Sequence, residues 1–148
     1  MYEKTFHAGW GDMDFNSHMR NTAYLDKAAD VRMMYFAENG FPMSEFVRLR
    51  LGPVILEDRL EYQKEIGLLQ PVRVTLAAAG LSGDGARWIL RNEFFRADGK
   101  PAARVTSVGA WLDLEARRLA APPEPLRQAL RSLARTEDFR VLGANGGQ

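Results

Sequence analysis

Cysteine is absent from this 148-residue chain. That excludes disulfides, thiolate metal sites and a cysteine nucleophile. No apolar run approaches the roughly 20 residues of a membrane span. The N-terminus, MYEKTFHAGW, lacks the apolar block of a signal peptide, so the cytoplasm is the expected location and no membrane partner is expected. Lysine is scarce: 16 of the 20 basic residues are arginine. Net charge is only +1, split as −3 over residues 1–65 and +4 over residues 66–148. So small and dispersed an excess does not point to nucleic acid. Histidine is limited to His7 and His18. Together with Asp12 and Asp14 they match no closed metal-ligand spacing.

What the chain does have is an ordinary globular composition, 46% hydrophobic and 26% charged, at a length suited to one domain. One stretch stands out. Residues 11–24, GDMDFNSHMRNTAY, gather Asp12, Asp14, Asn16, Ser17, His18 and Asn21 just before a helix-patterned run. The opening Asp12, Asp14, Asn16 resembles a calcium loop. Ser17 then stands where that loop needs glycine, and Ala23 where it needs a bidentate glutamate. No metal is expected. A carboxylate loop emptying into a helix N-terminus has another use. The carboxylate supplies a base or nucleophile, and the free amides of the first turn favour developing negative charge.

The remaining chain supplies the frame. Tyr2 to Ala8 alternates as a short strand. Tyr24 or Leu25 with Ala28, Val31 and Tyr35 forms one helical face, opposite Asp26, Lys27 and Asp30. The spacing predicts a helix over roughly 22–39, capped by Asn21 or Thr22 and stopped by Asn39 and Gly40. Residues 41–52 read as a loop with one helical turn near Ser44 to Arg48. Four strands follow: residues 54–63, 72–79, 87–96 and 102–113. Turn signals at Ser82-Gly83-Asp84-Gly85 and Ala97-Asp98-Gly99-Lys100 imply antiparallel hairpins. Glu124 to Ala134 reads as a short C-terminal amphipathic helix, and residues 143–148 as a disordered tail beyond a domain of residues 1–142. The fold class is α+β, an antiparallel sheet wrapped around one long helix.

Unbroken alternation puts Asp58 on one face with Val54, Leu56, Leu60 and Tyr62. A carboxylate on an apolar face should be paired or used. Asp58 is therefore a candidate pocket residue for a polar or cationic group, with Trp10, Tyr62 or Trp111 as an aromatic wall.

The segment GDMDFNSHMRNTAYL resembles the signature of the 4-hydroxybenzoyl-CoA thioesterase branch of the hotdog-fold superfamily: Asp-x-Asp, then Gly-His-Met/Val-Asn-Asn, then Tyr three residues on. LEYQKEI after GPVILEDR resembles that family's second strand. The resemblance implies a single hotdog domain that hydrolyses acyl-CoA or acyl-carrier-protein thioesters without metal or cofactor. It implies self-association as a dimer or tetramer. Asp14, by position, is the catalytic carboxylate, as nucleophile or general base. Amides near His18 to Asn21 would hold the thioester oxygen. His18, Arg20, Asn21, Tyr24 and Asp58 are the expected substrate contacts, with Asp12 and Tyr24 supporting the loop. Ser17 replaces the family's glycine and Arg20 its first asparagine. The rival class is an acyl-thioester-binding hotdog protein without turnover. Arg91, Arg96, Lys100, Arg104, Arg117 and Arg118 form a pool from which CoA phosphates would be held.

Overall fold

The structure is a computed structural model that describes residues 1–143. The expected tail, residues 143–148, lies outside the described residues except for Gly143. Strand β1 (Tyr2–His7) leads into a loop with a short 3-10 turn at Trp10–Asp12. Helix α1 (Asn21–Glu38) and helix α2 (Met43–Leu49) follow, then strands β2 (Leu51–Tyr62), β3 (Pro71–Ser82), β4 (Arg87–Arg96) and β5 (Pro101–Asp113). The chain closes with β6 (Arg118–Leu119), α3 (Glu124–Arg131) and β7 (Arg135–Leu142). The sheet order is β1-β3-β4-β5-β2, all antiparallel, with β6 beside β5 and β7 parallel to β3.

Both hairpins form where the turn residues put them. At the β4–β5 turn Gly99 takes φ 82°, a left-handed conformation glycine adopts freely, and Asp98 Oδ1 accepts the Lys100 amide at 3.0 Å. Helix α1 buries a stripe of Ala23, Tyr24, Lys27, Ala28, Val31, Arg32, Tyr35 and Phe36 against the inner face of the sheet. Its stop is as expected. Asn39 Nδ2 donates to the Tyr35 carbonyl at 2.8 Å, and the chain reverses through Gly40 at φ 91°. Its start differs. Arg20 occupies the cap position without a side-chain cap, and Asn21 is already helical.

Four further expectations are corrected. Residues 43–49 form two turns of helix, because Phe46 is pulled into an aromatic cluster with Phe36, Phe41 and Trp111. Helix α3 ends at Arg131, and residues 135–142 pair with β3 at Ala78 and Gly80–Ser82. Lys27, expected on the polar face, is buried. Strand β2 does not alternate without interruption. A bulge between Ile55 and Glu57 sets Val54 opposite Ala110 and Asp58 opposite Ser107. Ala110 and Ser107 are three residues apart and so face opposite sides; Val54 and Asp58 therefore do too. The register near the bulge tolerates no side chain at Gly109, where a Cβ would lie 2.3 Å from the Trp88 ring.

The core is layered along α1. Near its first turns Tyr24 packs edge-on to Tyr62 and Phe94, with ring centroids 5.6 and 5.2 Å away. At its C-terminal end Phe36 meets Trp111, which leans on Trp88. Between these aromatic layers lies a polar one. Arg32, 6% exposed, donates to Asn92 Oδ1 on β4 through Nε (3.1 Å) and Nη2 (2.9 Å). Its Nη2 also donates to Ser107 Oγ on β5 at 2.7 Å, and that hydroxyl donates to Asp58 Oδ1 on β2. Asn92 Nδ2 donates in turn to the Thr75 carbonyl at 3.0 Å. Burial pushes Arg32 down to about 10, opposed by the Asp58 charge, so the guanidinium stays charged at neutral pH.

Candidate functional site

The loop between β1 and α1 is built by its own polar side chains. Asp14 Oδ1 accepts the amides of Asn16 (2.8 Å) and His18 (3.0 Å). The Asp14 amide donates to the His18 carbonyl at 2.8 Å, and Ser17 N to the Asp14 carbonyl at 3.2 Å. This tight turn forces Ser17 to φ 66°, the left-handed region. The position where the resembled family has glycine thus keeps a glycine-like backbone despite its side chain. The His18 amide, then the Asn16 amide, hold the Asp14 carboxyl below the usual carboxylate range. Asp14 is therefore ionised at neutral pH. Its Oδ2 has no hydrogen-bond partner among the described residues.

Asp12 is held inward. Its Oδ2 accepts the Gly9 amide at 2.8 Å and Lys27 Nζ at 2.9 Å. Burial works to raise the Asp12 carboxyl, but the Lys27 ammonium, the Gly9 amide and the Arg20 charge outweigh it and keep the carboxyl low. The Asp12 carbonyl also takes the Arg20 amide at 2.8 Å. Asp12 thus ties the loop to the first and second turns of α1. Lys27 was missed as a site residue, although its place between Ala23 and Val31, four residues from each, lies on the buried stripe.

The helix start offers fewer free amides than the sequence suggested. His18 N is taken by Asp14, Met19 N by the Ile66 carbonyl and Arg20 N by the Asp12 carbonyl. Asn21 and Thr22 amides have no partner among the described residues. They open an 18-residue helix, whose dipole places partial positive charge there. Arg20 lies across the entrance, donating from Nε to Thr22 Oγ1 at 2.7 Å and from Nη1 to the Gly11 carbonyl.

A hollow of about 450 Å³ opens beside this constellation. Asp14, His18, Arg20, Asn21 and Tyr24 all line it, so five of the six expected site residues come together. Tyr62, the last residue of β2, and Lys64 just beyond it form the facing wall. Burial pushes the Tyr24 phenol up to about 12, which keeps it neutral. His18 Nε2 lies 3.3 Å from Glu65 on the rim. Trp10, Met13 and Leu68 line a second hollow of about 310 Å³ on the other side of Asp14. Asp58 does not line the first hollow; it lies with Ser107 in the polar layer. The aromatic wall expected around it does not form: Tyr62 lies four residues on along the same strand, about 13 Å away, against Tyr24. Trp111 is buried in the far aromatic layer, and Trp10 is 84% exposed beside the second hollow. Among the described residues no group of three His, Asp or Glu side chains is placed to hold a metal. From the basic pool, Arg91 is paired with Asp138, Arg104 with Glu93 and Arg96 with Asp98.

Comparison with known proteins gives a consistent picture. Residues 8–130 match the model of the thioesterase-like superfamily. A hypothetical protein from Staphylococcus aureus, solved in complex with CoA, superposes with a TM-score of 0.80 at 23% identity, covering 88% of this chain and 81% of its own. A 1,4-dihydroxy-2-naphthoyl-CoA thioesterase from Synechocystis gives 0.79 at 13% identity, over 89% and 96%. A DHNA-CoA thioesterase from Staphylococcus aureus gives 0.79 at 14%, over 87% and 87%. No curated protein matches the chain. At these identities the likenesses establish the fold, the hotdog arrangement of a curled antiparallel sheet around a long helix.

Proposed function

Because the chain belongs to the thioesterase-like superfamily, we propose that it hydrolyses an acyl-CoA thioester to the free acid and CoA at the hollow beside Asp14. The observation that carries this reading is that an ionised carboxylate, its Oδ2 unengaged among the described residues, and Asn21, whose helix-terminal amide is likewise unengaged, line one cavity, with the unengaged Thr22 amide next along the helix. The thioester carbonyl oxygen lies against Asn21 N and Thr22 N, which stabilise the negative charge it gains on attack. Asp14 Oδ2 then acts in one of two ways. It attacks the carbonyl carbon, the C–S bond breaks, and water hydrolyses the resulting anhydride. Alternatively it takes a proton from a water that attacks directly. In both routes CoA leaves as its thiol and the acid departs as its carboxylate.

The similar Staphylococcus aureus protein bound to CoA supports CoA as the carrier. Lys64, with no ion-pair partner among the described residues, supplies positive charge at the mouth. Self-association is part of the same proposal. Strand β2 ends the sheet with a free edge bearing exposed Ile55 and Leu56, and Trp10 and Phe15 project from the Asp14 loop. Such an edge and such aromatics are covered most simply by a second copy. No helix among the described residues is long and apolar enough to cross a membrane.

The test is Asp14→Asn assayed by release of free CoA across short, long and aromatic acyl-CoAs. Loss of about 10²–10⁴-fold in kcat is expected, with folding intact. Undiminished release would remove Asp14 from the chemistry. No release by the native protein from any of them would leave a binding protein.

A further inference from the structure

Strand β2 and helix α1 both run from the hollow beside Asp14 to the polar layer. Tyr62, on its wall, and Asp58 lie on the inner face of β2 after the bulge, with Leu60 between them. Four residues of strand span about 13 Å. On the helix, Tyr24 on the same wall and Arg32 are eight residues apart on one stripe, about 12 Å. Strand and helix thus lead from the Asp14 hollow to a common end, Asp58–Ser107–Arg32. The strip between them is apolar and incompletely covered: Tyr62 is 59% exposed, and Leu25 and Leu60 are only partly buried.

The end wall has a definite chemistry. Asp58 is exposed, and among the described residues only its Oδ1 is engaged, by Ser107. Arg32 stands one hydroxyl behind it, so the carboxylate charge is already balanced and a cationic group gains little there. An anionic group finds no donor at this end, because the Ser107 hydroxyl already gives its proton to Asp58. An alkyl terminus leaves Asp58 desolvated without a partner, which is unfavourable. A neutral hydrogen-bond donor is what remains.

Resting on the reading of the Asp14 hollow as the thioester site, we propose that Asp58, backed by Ser107 and Arg32, sets acyl specificity by accepting a hydrogen bond from a distal hydroxyl carried about 13 Å along this strip. The acyl group is thus of moderate length, apolar along its sides and hydroxylated at its far end.

The test uses non-hydrolysable S-alkyl-CoA thioethers, matched in length to the strip and ending in either methyl or hydroxyl. Dissociation constants are measured by calorimetry on the native protein, Asp58→Leu and Asp58→Asn. The native protein should bind the hydroxyl-ended analogue about tenfold more tightly. Asp58→Leu should abolish or invert that preference, and Asp58→Asn, whose one oxygen stays with Ser107 and whose neutral Nδ2 then faces the ligand, should weaken it several-fold. Equal binding of the two analogues by the native protein overturns the proposal. So does an unchanged preference in Asp58→Leu. If Asp58→Leu does not fold, the native comparison and Asp58→Asn still decide. Because these analogues report binding alone, a hydroxyl preference without CoA release from acyl-CoAs would sink the hydrolase reading and leave the specificity assignment standing.

Discussion

Helix α1 carries two polar constellations, one at its first turn and one at its midpoint. At the first turn Asp14 keeps an oxygen free, and the Asn21 and Thr22 amides have no partner among the described residues. At the midpoint Arg32, Asn92, Ser107 and the Thr75 carbonyl satisfy one another inside the core, with Asp58 as the outlet to solvent. Water explains the difference. A buried polar group without a partner costs about 1–3 kcal/mol, so the interior set must be closed. The set at the helix start is wet, so its groups are free to exchange water for a substrate. One region spends its hydrogen bonds on holding three strands to the helix; the other keeps them for chemistry.

The sharpest way to break this contrast is to cut each constellation once and measure both stability and activity. Arg32→Ala leaves Asn92 Oδ1 and Ser107 without their donor and opens a cavity. A loss of about 3–5 kcal/mol is expected in urea denaturation. Asp14→Asn should change stability by less than about 0.5 kcal/mol while it removes turnover. If Asp14→Asn destabilised the fold as much as Arg32→Ala, the two regions would not differ in kind.

A second cut falls between these extremes. Lys27 joins Asp12 to the helix across a pair whose side chains are 11% and 25% exposed. Lys27→Met should cost about 2 kcal/mol through loss of a charged hydrogen bond. It should also change the pH dependence. Asp12 has its folded pKa depressed, so its contribution is present above the unfolded carboxylate value and is lost as pH falls through the folded one. The native protein should therefore lose stability below about pH 4, and Lys27→Met should show a shallower loss. Identical slopes would mean that Asp12 is held by the Gly9 amide alone.

The two regions were also unequally legible in sequence. The Asp14 loop, the helix after it and both hairpins are local: caps, turns and periods sit within a few residues of what they shape. Asp14, His18, Arg20, Asn21 and Tyr24 lie within eleven consecutive positions, which is why one loop brings them together. The midpoint layer joins residues from β2, α1, β3, β4 and β5, 17 to 75 positions apart along each bond. No local pattern announces it. Asp58 was noticed as an odd carboxylate, but its partner was not, and the bulge that fixes its facing leaves no clear mark in VILEDR. Strand β7 escaped for a related reason. Its pairing with β3 is parallel, interrupted and remote, while RTEDFRVL taken alone looks like a solvated segment. Lys27 shows the opposite failure: it reads with Asp26 and Asp30 as the charged face, although its spacing of four from Ala23 and Val31 belongs to the buried stripe.

The smallest expected effect tests how the loop tolerates its odd residue. Ser17 holds φ 66° because three hydrogen bonds converge around it: Asp14 Oδ1 takes the amides on either side, at Asn16 and His18, and the Asp14 carbonyl takes its own. A side chain in this region costs about 1 kcal/mol relative to glycine. The unfolded chain gains freedom when glycine is introduced, which offsets part of that relief. Ser17→Gly should therefore stabilise the protein by no more than about 1 kcal/mol, seen as a small rise in the urea midpoint. Its effect on turnover should be smaller still, because the amides that hold Asp14 are unchanged. A destabilisation would mean that the Ser17 hydroxyl has a partner of its own in the loop, and that the first-turn region is less open than its unengaged oxygen and amides imply.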